Sequence, residues 1–366
     1  MQKNKLFKSK TKNLTLPVFF PDATRAVVKT VDSEDIRKTH TPGILVNTFH
    51  LYQKLGARVI EKHGGIGPFM SWDGGVISDS GGFQVMSVIK KSGRTDAITD
   101  KGIILPLPGG KKDLFTPQKS IEFQMLLDTD MLVVLDDFTE PNASPLRARD
   151  TVERTILWAK RSKEAFIQMC DKGKLSETKR PYLLGVVQGG EDLSLRKECT
   201  ERLVEIGFDG LGYGGWPIRK DGTFNFDVAR VISENSPTDY FLYGLGVGKP
   251  DEIVKCVEMG YTIFDCVLPT RDARHRRLYV YNAPSVDTID IRSEKFYSYY
   301  TPDKERYYSD RTPVSTACDC LLCINYSRAY LAHLFRIEEM TALRLATIHN
   351  LRFYSILMEK LQQVEI

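Results

Sequence analysis

Short, almost wholly apolar runs alternate along this chain with longer stretches whose apolar residues recur at helical spacing. The runs lie at 16–20, 44–47, 76–79, 131–136, 182–188, 210–213, 240–245 and 262–265, and helix-compatible segments such as 152–167, 193–206 and 250–259 separate most of them. Strands apolar on both faces belong to a parallel sheet covered on its outside. Eight such repeats predict a closed (β/α)8 TIM barrel, an α/β fold.

Polar residues end these runs: Asn47, Asp79, Asp136, Gln188, the glycines Gly214 and Gly215 after Tyr213, then Gly246 and Asp265. In a barrel all of them reach the carboxyl-terminal face, where active sites of this fold lie. A polar strand end often does no more than bond a turn. Three acids and two amides on one rim, however, point to catalysis or a polar ligand, because the acids repel unless something with donors or an electrophilic carbon sits among them.

Two stretches sharpen this. In 261–271 an apolar run delivers Asp265 and then breaks at Pro269, which predicts a basic loop carrying Arg271, Arg274, His275, Arg276 and Arg277. In 78–84, Ser80 and the pair Gly81-Gly82 allow close backbone approach to a ligand, and Phe83 offers a stacking face.

Composition narrows the class. The 366 residues are 42% hydrophobic, as in a soluble enzyme, and no apolar run approaches the ~20 residues a membrane span requires. The basic N-terminus reads as a solvated leader rather than a targeting segment, so a cytoplasmic protein is expected. A net charge of +4 permits a polyanionic partner without demanding one.

Seven cysteines are few for a disulfide scaffold, and Cys170, Cys199, Cys256 and Cys266 are scattered among apolar neighbours. The other three are bunched. Cys318, Cys320 and Cys323 have C-x-C-x2-C spacing, and His349 follows as a fourth ligand, with His333 as its rival. A Cys3His set is closed, which predicts structural zinc. The expected organisation is a barrel over 1–300, a zinc-binding insertion subdomain over 301–350, and a terminal helix at 351–366 that packs on the barrel.

Asp-Ser-Gly-Gly-Phe-Gln at 79–84, Val-Gln-Gly-Gly at 187–190, Gly-Val-Gly-Lys-Pro at 246–250, Phe-Asp-Cys-Val-Leu-Pro-Thr-Arg at 264–271 and the cysteine knuckle stand in collinear order over nearly the whole chain. The combination resembles the tRNA-guanine transglycosylases of bacterial type, also called queuine tRNA-ribosyltransferases. The resemblance implies a zinc-bearing barrel, commonly a homodimer, that exchanges a guanine at the tRNA anticodon wobble position for a 7-deazaguanine base in queuosine synthesis. It implies Asp265 as nucleophile and Asp79 as general acid and base. Asp136, Gln188, Gly215 and Phe83 would hold the base, with Ser80, Gly214, Trp216, Leu245 and Gly246 completing the pocket. Arg271 and Arg274 match positions near the anticodon loop, and His275, Arg276 and Arg277 add charge for phosphates.

Departures from the family pattern accompany it. Trp216-Pro217-Ile218-Arg219-Lys220 stands where Leu-Ala-Val-Gly-Glu is usual, so Lys220 replaces the acid that balances an aminomethyl cation. Phe138 replaces a small Cys, the Arg276-Arg277 pair replaces a glycine, and 88–114 is rebuilt. These changes predict altered base choice, extending to queuine itself, or an altered nucleic acid. A non-catalytic tRNA-binding partner subunit and a base-exchange enzyme acting on DNA are the alternatives; retention of both Asp79 and Asp265 argues against the first. A metal-dependent hydrolase lacks a His pair at the strand ends.

Overall fold

Because side chains alternate across a strand, a closed barrel sends every second residue into its lumen. The computed structural model describes residues 6–82, 85, 97–106 and 112–364. Eight strands form one sheet: β1 Val18–Pro21, β2 Gly43–Asn47, β3 Gly75–Asp79, β4 Met131–Val133, β5 Tyr182–Val187, β6 Gly210–Tyr213, β7 Phe241–Gly244 and β8 Ile263–Cys266. Every ladder between neighbours is parallel, and β1 also pairs with β8. The ring closes where Asp22 bridges Leu45 and the Ala23 N–H donates to the Leu45 carbonyl at 2.7 Å. The expected TIM barrel is present.

Alternation sets which residues face the lumen. Val18, Phe20, Leu45, Ile77, Met131, Val133, Leu184, Val186, Phe241, Tyr243 and Ile263 share one buried cluster inside the barrel. Phe7 and Leu14, from the hairpin Leu6–Lys8 and Asn13–Thr15, join it. Residues of opposite parity, such as Phe19, Ile44, Val46, Leu132, Leu242 and Phe264, pack outward in the helical layer. Two steps beyond Leu45, Ile77, Val186 and Ile263 come Asn47, Asp79, Gln188 and Asp265. The pattern that builds the core therefore carries these polar groups onto the inner rim.

Two sequence expectations change. The run 131–136 pairs as a strand only through Val133, so Asp136 stands on extended coil just beyond it. The basic loop after β8 is a helix, Leu268–Arg274. Pro269 starts that helix instead of breaking the chain, because a first-turn residue has no intrahelical use for its N–H.

The described parts of the rebuilt 88–114 segment form an antiparallel sheet of Ile98–Thr99, Gly102–Pro106 and Lys112–Phe115. The C-terminal helix is longer than expected, Met340–Gln363. It docks on the hairpin Leu278–Tyr281 and Tyr297–Tyr300, where Phe353 stacks on Tyr281 at 4.1 Å. Asn350 ties this helix to the segment after β8, donating to the carbonyls of Pro269 and Arg277 and accepting from the Tyr279 N–H. No helix among the described residues is long and apolar enough to cross a membrane.

Candidate active site and metal centre

Asp79 closes β3 directly opposite Asn47 of β2 in the ladder. The Asn47 amide donates to its Oδ2 at 3.0 Å, while Oδ1 is sealed from solvent and accepts no hydrogen bond of standard geometry. Burial pushes the Asp79 carboxyl up to about 8, and the nearby Asp265 charge adds to the shift. Asp265, 9% exposed, accepts from the Gly246 N–H at 2.9 Å. Gly246 adopts φ +72°, a conformation that glycine takes without strain. Burial raises Asp265 to about 6, opposed by that N–H and by the adjacent Tyr243 hydroxyl. The hydroxyl itself completes no hydrogen bond of standard geometry. One rim thus holds two coupled carboxyls, one protonated at neutral pH and the other largely ionised.

The other side of the rim is built for planar polar recognition. Gln188, fully buried, donates through Nε2 to Asp136 Oδ2 at 2.6 Å and accepts the Thr139 N–H at Oε1. These two bonds fix the amide's orientation and leave one Nε2 hydrogen uncommitted to Asp136. Burial raises Asp136 to about 6, and the Gln188 donor opposes the shift. A Cβ on Gly214 would lie 2.5 Å from Val186 Cγ1 and 2.7 Å from Gln188 Nε2, so only glycine fits there. Gly215 follows at φ +81°. Ser80 is buried and accepts the Gly82 N–H, and Leu245 is half-buried. Trp216 is 49% exposed. Trp216, Ile218 and Lys220 form part of the wall of a cavity of about 230 Å3 that also involves Thr139, Glu140 and Glu191. Phe83 lies outside the described residues.

Cys318, Cys320, Cys323 and His349 converge, all buried, with ligand atoms within 4.8 Å of one another. His349 Nδ1 is 3.6, 3.5 and 3.2 Å from the three sulfurs. A tetrahedron with metal–sulfur bonds of about 2.3 Å and metal–nitrogen bonds of about 2.0 Å has S···N edges of roughly 3.6 Å, so this set fits one ion. His349 Nε2 donates to the Tyr279 carbonyl at 2.7 Å, which leaves Nδ1 free to coordinate. His333 is exposed on the helix Arg328–Arg336 and takes no part in the cluster.

The profile described as "Queuine tRNA-ribosyltransferase" matches residues 5–364. A queuine tRNA-ribosyltransferase of Thermoanaerobacter pseudethanolicus is 37% identical over 350 residues, 95% of this chain and 85% of the relative. One from Shewanella sp. strain W3-18-1 is 38% identical over 347 residues, covering 94% and 86%. The chain belongs to the queuine tRNA-ribosyltransferase family. It is thereby a pentosyltransferase.

The basic residues after β8 divide into two groups. Arg271 projects with half its side chain exposed, and its nearest carboxylate, Asp272, is 4.0 Å away. His275 is exposed. Arg274 is half-buried and donates to the Thr270 carbonyl, and burial lowers its pKa. Arg276, by contrast, pairs with Asp303 at 2.8 Å and covers Phe335, at φ +59°. Arg277 lies over Tyr299 at 5.2 Å.

Sequence reasoning missed two contributors to the site and one buried charge beside it. Tyr243 could have been found from its lumen-facing parity beside Asp265. Thr139, whose N–H fixes Gln188, carried no signal. Arg196 reads as an ordinary exposed helix residue, yet it is 1% exposed.

Proposed function

We propose that this chain exchanges guanine at a tRNA wobble position for a 7-deazaguanine base through a covalent ribosyl–Asp265 adduct. The observation that carries the reading is the placement of two buried carboxyls, Asp79 and Asp265, at the ends of β3 and β8 on one barrel rim, where burial raises both and the Asp265 charge raises Asp79 further. Displacing a base from C1′ needs an ionised nucleophile and a proton for the leaving group, and these two carboxyls supply both near pH 7.

The steps follow. The Asp265 carboxylate forms a bond to C1′ as the C1′–N9 bond breaks and its electron pair passes to the purine. Asp79 delivers its proton to the departing guanine. The incoming base then loses its N9 proton to the Asp79 carboxylate and attacks C1′, releasing Asp265. Asp136 accepts from the base N1–H and 2-amino groups, while the uncommitted Gln188 Nε2 hydrogen and the Gly215 N–H meet O6. Ser80, Gly214, Leu245 and Gly246 shape the pocket. Cys318, Cys320, Cys323 and His349 would hold zinc, and a fully ligated ion there would pin the C-terminal helix beside the segment after β8. Arg271, Arg274 and His275 attract anticodon-loop phosphates, with Arg277 at their edge.

The incoming base is one with a large 7-substituent. The cavity of about 230 Å3 beside Trp216 has room for a substituent larger than an aminomethyl group. That room favours queuine over 7-aminomethyl-7-deazaguanine. The covalent step is tested on a denaturing gel with an anticodon stem-loop RNA. A slow-migrating protein–RNA adduct with the wild type and none with Asp265→Asn supports it; an adduct that survives the substitution rejects Asp265 as nucleophile.

A further inference from the structure

Arg196 sits on the helix Leu193–Ile206, one turn in, and is almost wholly buried. Among the described residues it pairs with no carboxylate. Its Nε donates to the Gly190 carbonyl at 2.8 Å, and its Nη1 donates to the carbonyls of Val187 at 2.6 Å and Gly214 at 2.8 Å. The Tyr213 ring lies 5.3 Å from the guanidinium carbon. Holding three carbonyls needs donors but not a charge, and an unneutralised buried cation is costly to retain. Such a group is a functional-site candidate when its field reaches reacting atoms.

The field does reach them, through one peptide unit. Gly214 C=O and Gly215 N–H belong to the same planar trans peptide, so the N–H points away from Arg196 when the carbonyl points toward it. Among the described residues the Gly215 N–H donates to no group, and its glycine φ of +81° keeps this orientation unstrained. A cation on the carbonyl polarises the peptide and strengthens the N–H at its far side. A Cβ on Gly215 would lie 3.0 Å from Arg196 Nη2 and 3.3 Å from Gln188 Oε1, which puts this peptide between the arginine and the base-recognition amide.

We propose that Arg196 is a positioning residue that polarises the Gly214–Gly215 peptide so that the Gly215 N–H stabilises negative charge on O6 of the departing and incoming base. The inference rests on the exchange reading above. When the C1′–N9 bond breaks, the electron pair left on the purine delocalises onto O6, and the strengthened N–H meets charge that grows only as the bond breaks. Asp79 still supplies the proton.

The test compares adduct formation under single turnover for wild type, Arg196→Gln and Arg196→Lys, on stem-loop RNA carrying guanosine or 8-azaguanosine. The 8-aza base is the more acidic and leaves with less need of stabilisation. Arg196→Gln is expected to slow the guanosine substrate by about a hundredfold and the 8-aza substrate by about tenfold or less, with RNA binding unchanged. Arg196→Lys, which retains the charge, gives an intermediate loss with the same dependence on base and keeps the test open should the Gln variant not fold. Equal slowing of both substrates, the mark of a merely structural clamp, overturns the proposal, as does no slowing of either. A wild type that releases neither base overturns the exchange reading and this proposal together.

Discussion

Asn47 donates to Oδ2 of Asp79 at 3.0 Å and leaves Oδ1 of the same carboxyl sealed and accepting no hydrogen bond of standard geometry. An acid with one oxygen satisfied and the other sealed from solvent is held in its protonated form. That costs stability wherever the unfolded chain would ionise it. Below about pH 4 both states keep the proton and nothing is lost. Between there and about 8 the unfolded state has released it and the folded state has not, so stability falls as pH rises and levels off above 8. Asp79→Asn is therefore expected to melt higher than wild type at pH 8, by roughly 2 °C for each kcal/mol recovered. At pH 3.5 the two should melt together. Thermal melts at the two pH values check this.

The same pair shapes activity. Asp265 must be ionised and Asp79 protonated, so the rate of adduct formation should follow a bell with limbs near 6 and near 8, belonging to the coupled pair rather than to either residue alone. Asp79→Asn should lower the rate by roughly 10²–10⁴-fold and remove the upper limb. A pH profile under single turnover reads both.

Base choice tests the cavity beside Trp216. Exchange assays should favour queuine over 7-aminomethyl-7-deazaguanine. Lys220→Glu, which replaces a cation with an anion, should raise kcat/KM for both amine-bearing bases together and leave their ratio nearly unchanged. Equal, strong use of the aminomethyl base alone by the wild type would contradict the altered choice.

The two groups of basic residues predict different salt behaviour. Arg271 is exposed with no close ion pair, so Arg271→Ala should weaken RNA binding and reduce the log–log salt slope by about 1. Arg276 is engaged by Asp303 and Phe335, and Arg276→Ala should leave the slope nearly unchanged. Binding titrations over a range of salt concentrations separate them.

Removing one ligand should expose the role of the Cys3His cluster. Cys320→Ser is expected to lose the metal and to lower the melting temperature by several degrees or more, because metal binding free energy is folding free energy in such sites. Metal content by atomic absorption and a thermal melt, run on the same sample, measure both effects.

Much of this was legible because barrel strands obey a period of two. The polar residues ending the apolar runs predicted that Asn47, Asp79, Gln188 and Asp265 would reach one face of the barrel, and C-x-C-x2-C spacing predicted the cysteine knuckle. What stayed hidden depended on three-dimensional closure. Arg196 looks solvent-exposed in sequence because arginines on helices ordinarily are, and only the loops folding over it bury the charge. The helix after β8 was misread as a loop because proline has opposite meanings inside a helix and at its first turn. The ion pair of Arg276 with Asp303, 27 residues away, carried no signal in the sequence.

The central claim is base exchange dependent on Asp265, and incubation of the protein with radiolabelled guanine and bulk unmodified tRNA tests it most directly. The account predicts label in tRNA with the wild type and none above background with Asp265→Ala. Wild type that binds tRNA but incorporates no guanine, or Asp265→Ala that incorporates it as well as wild type, would contradict it.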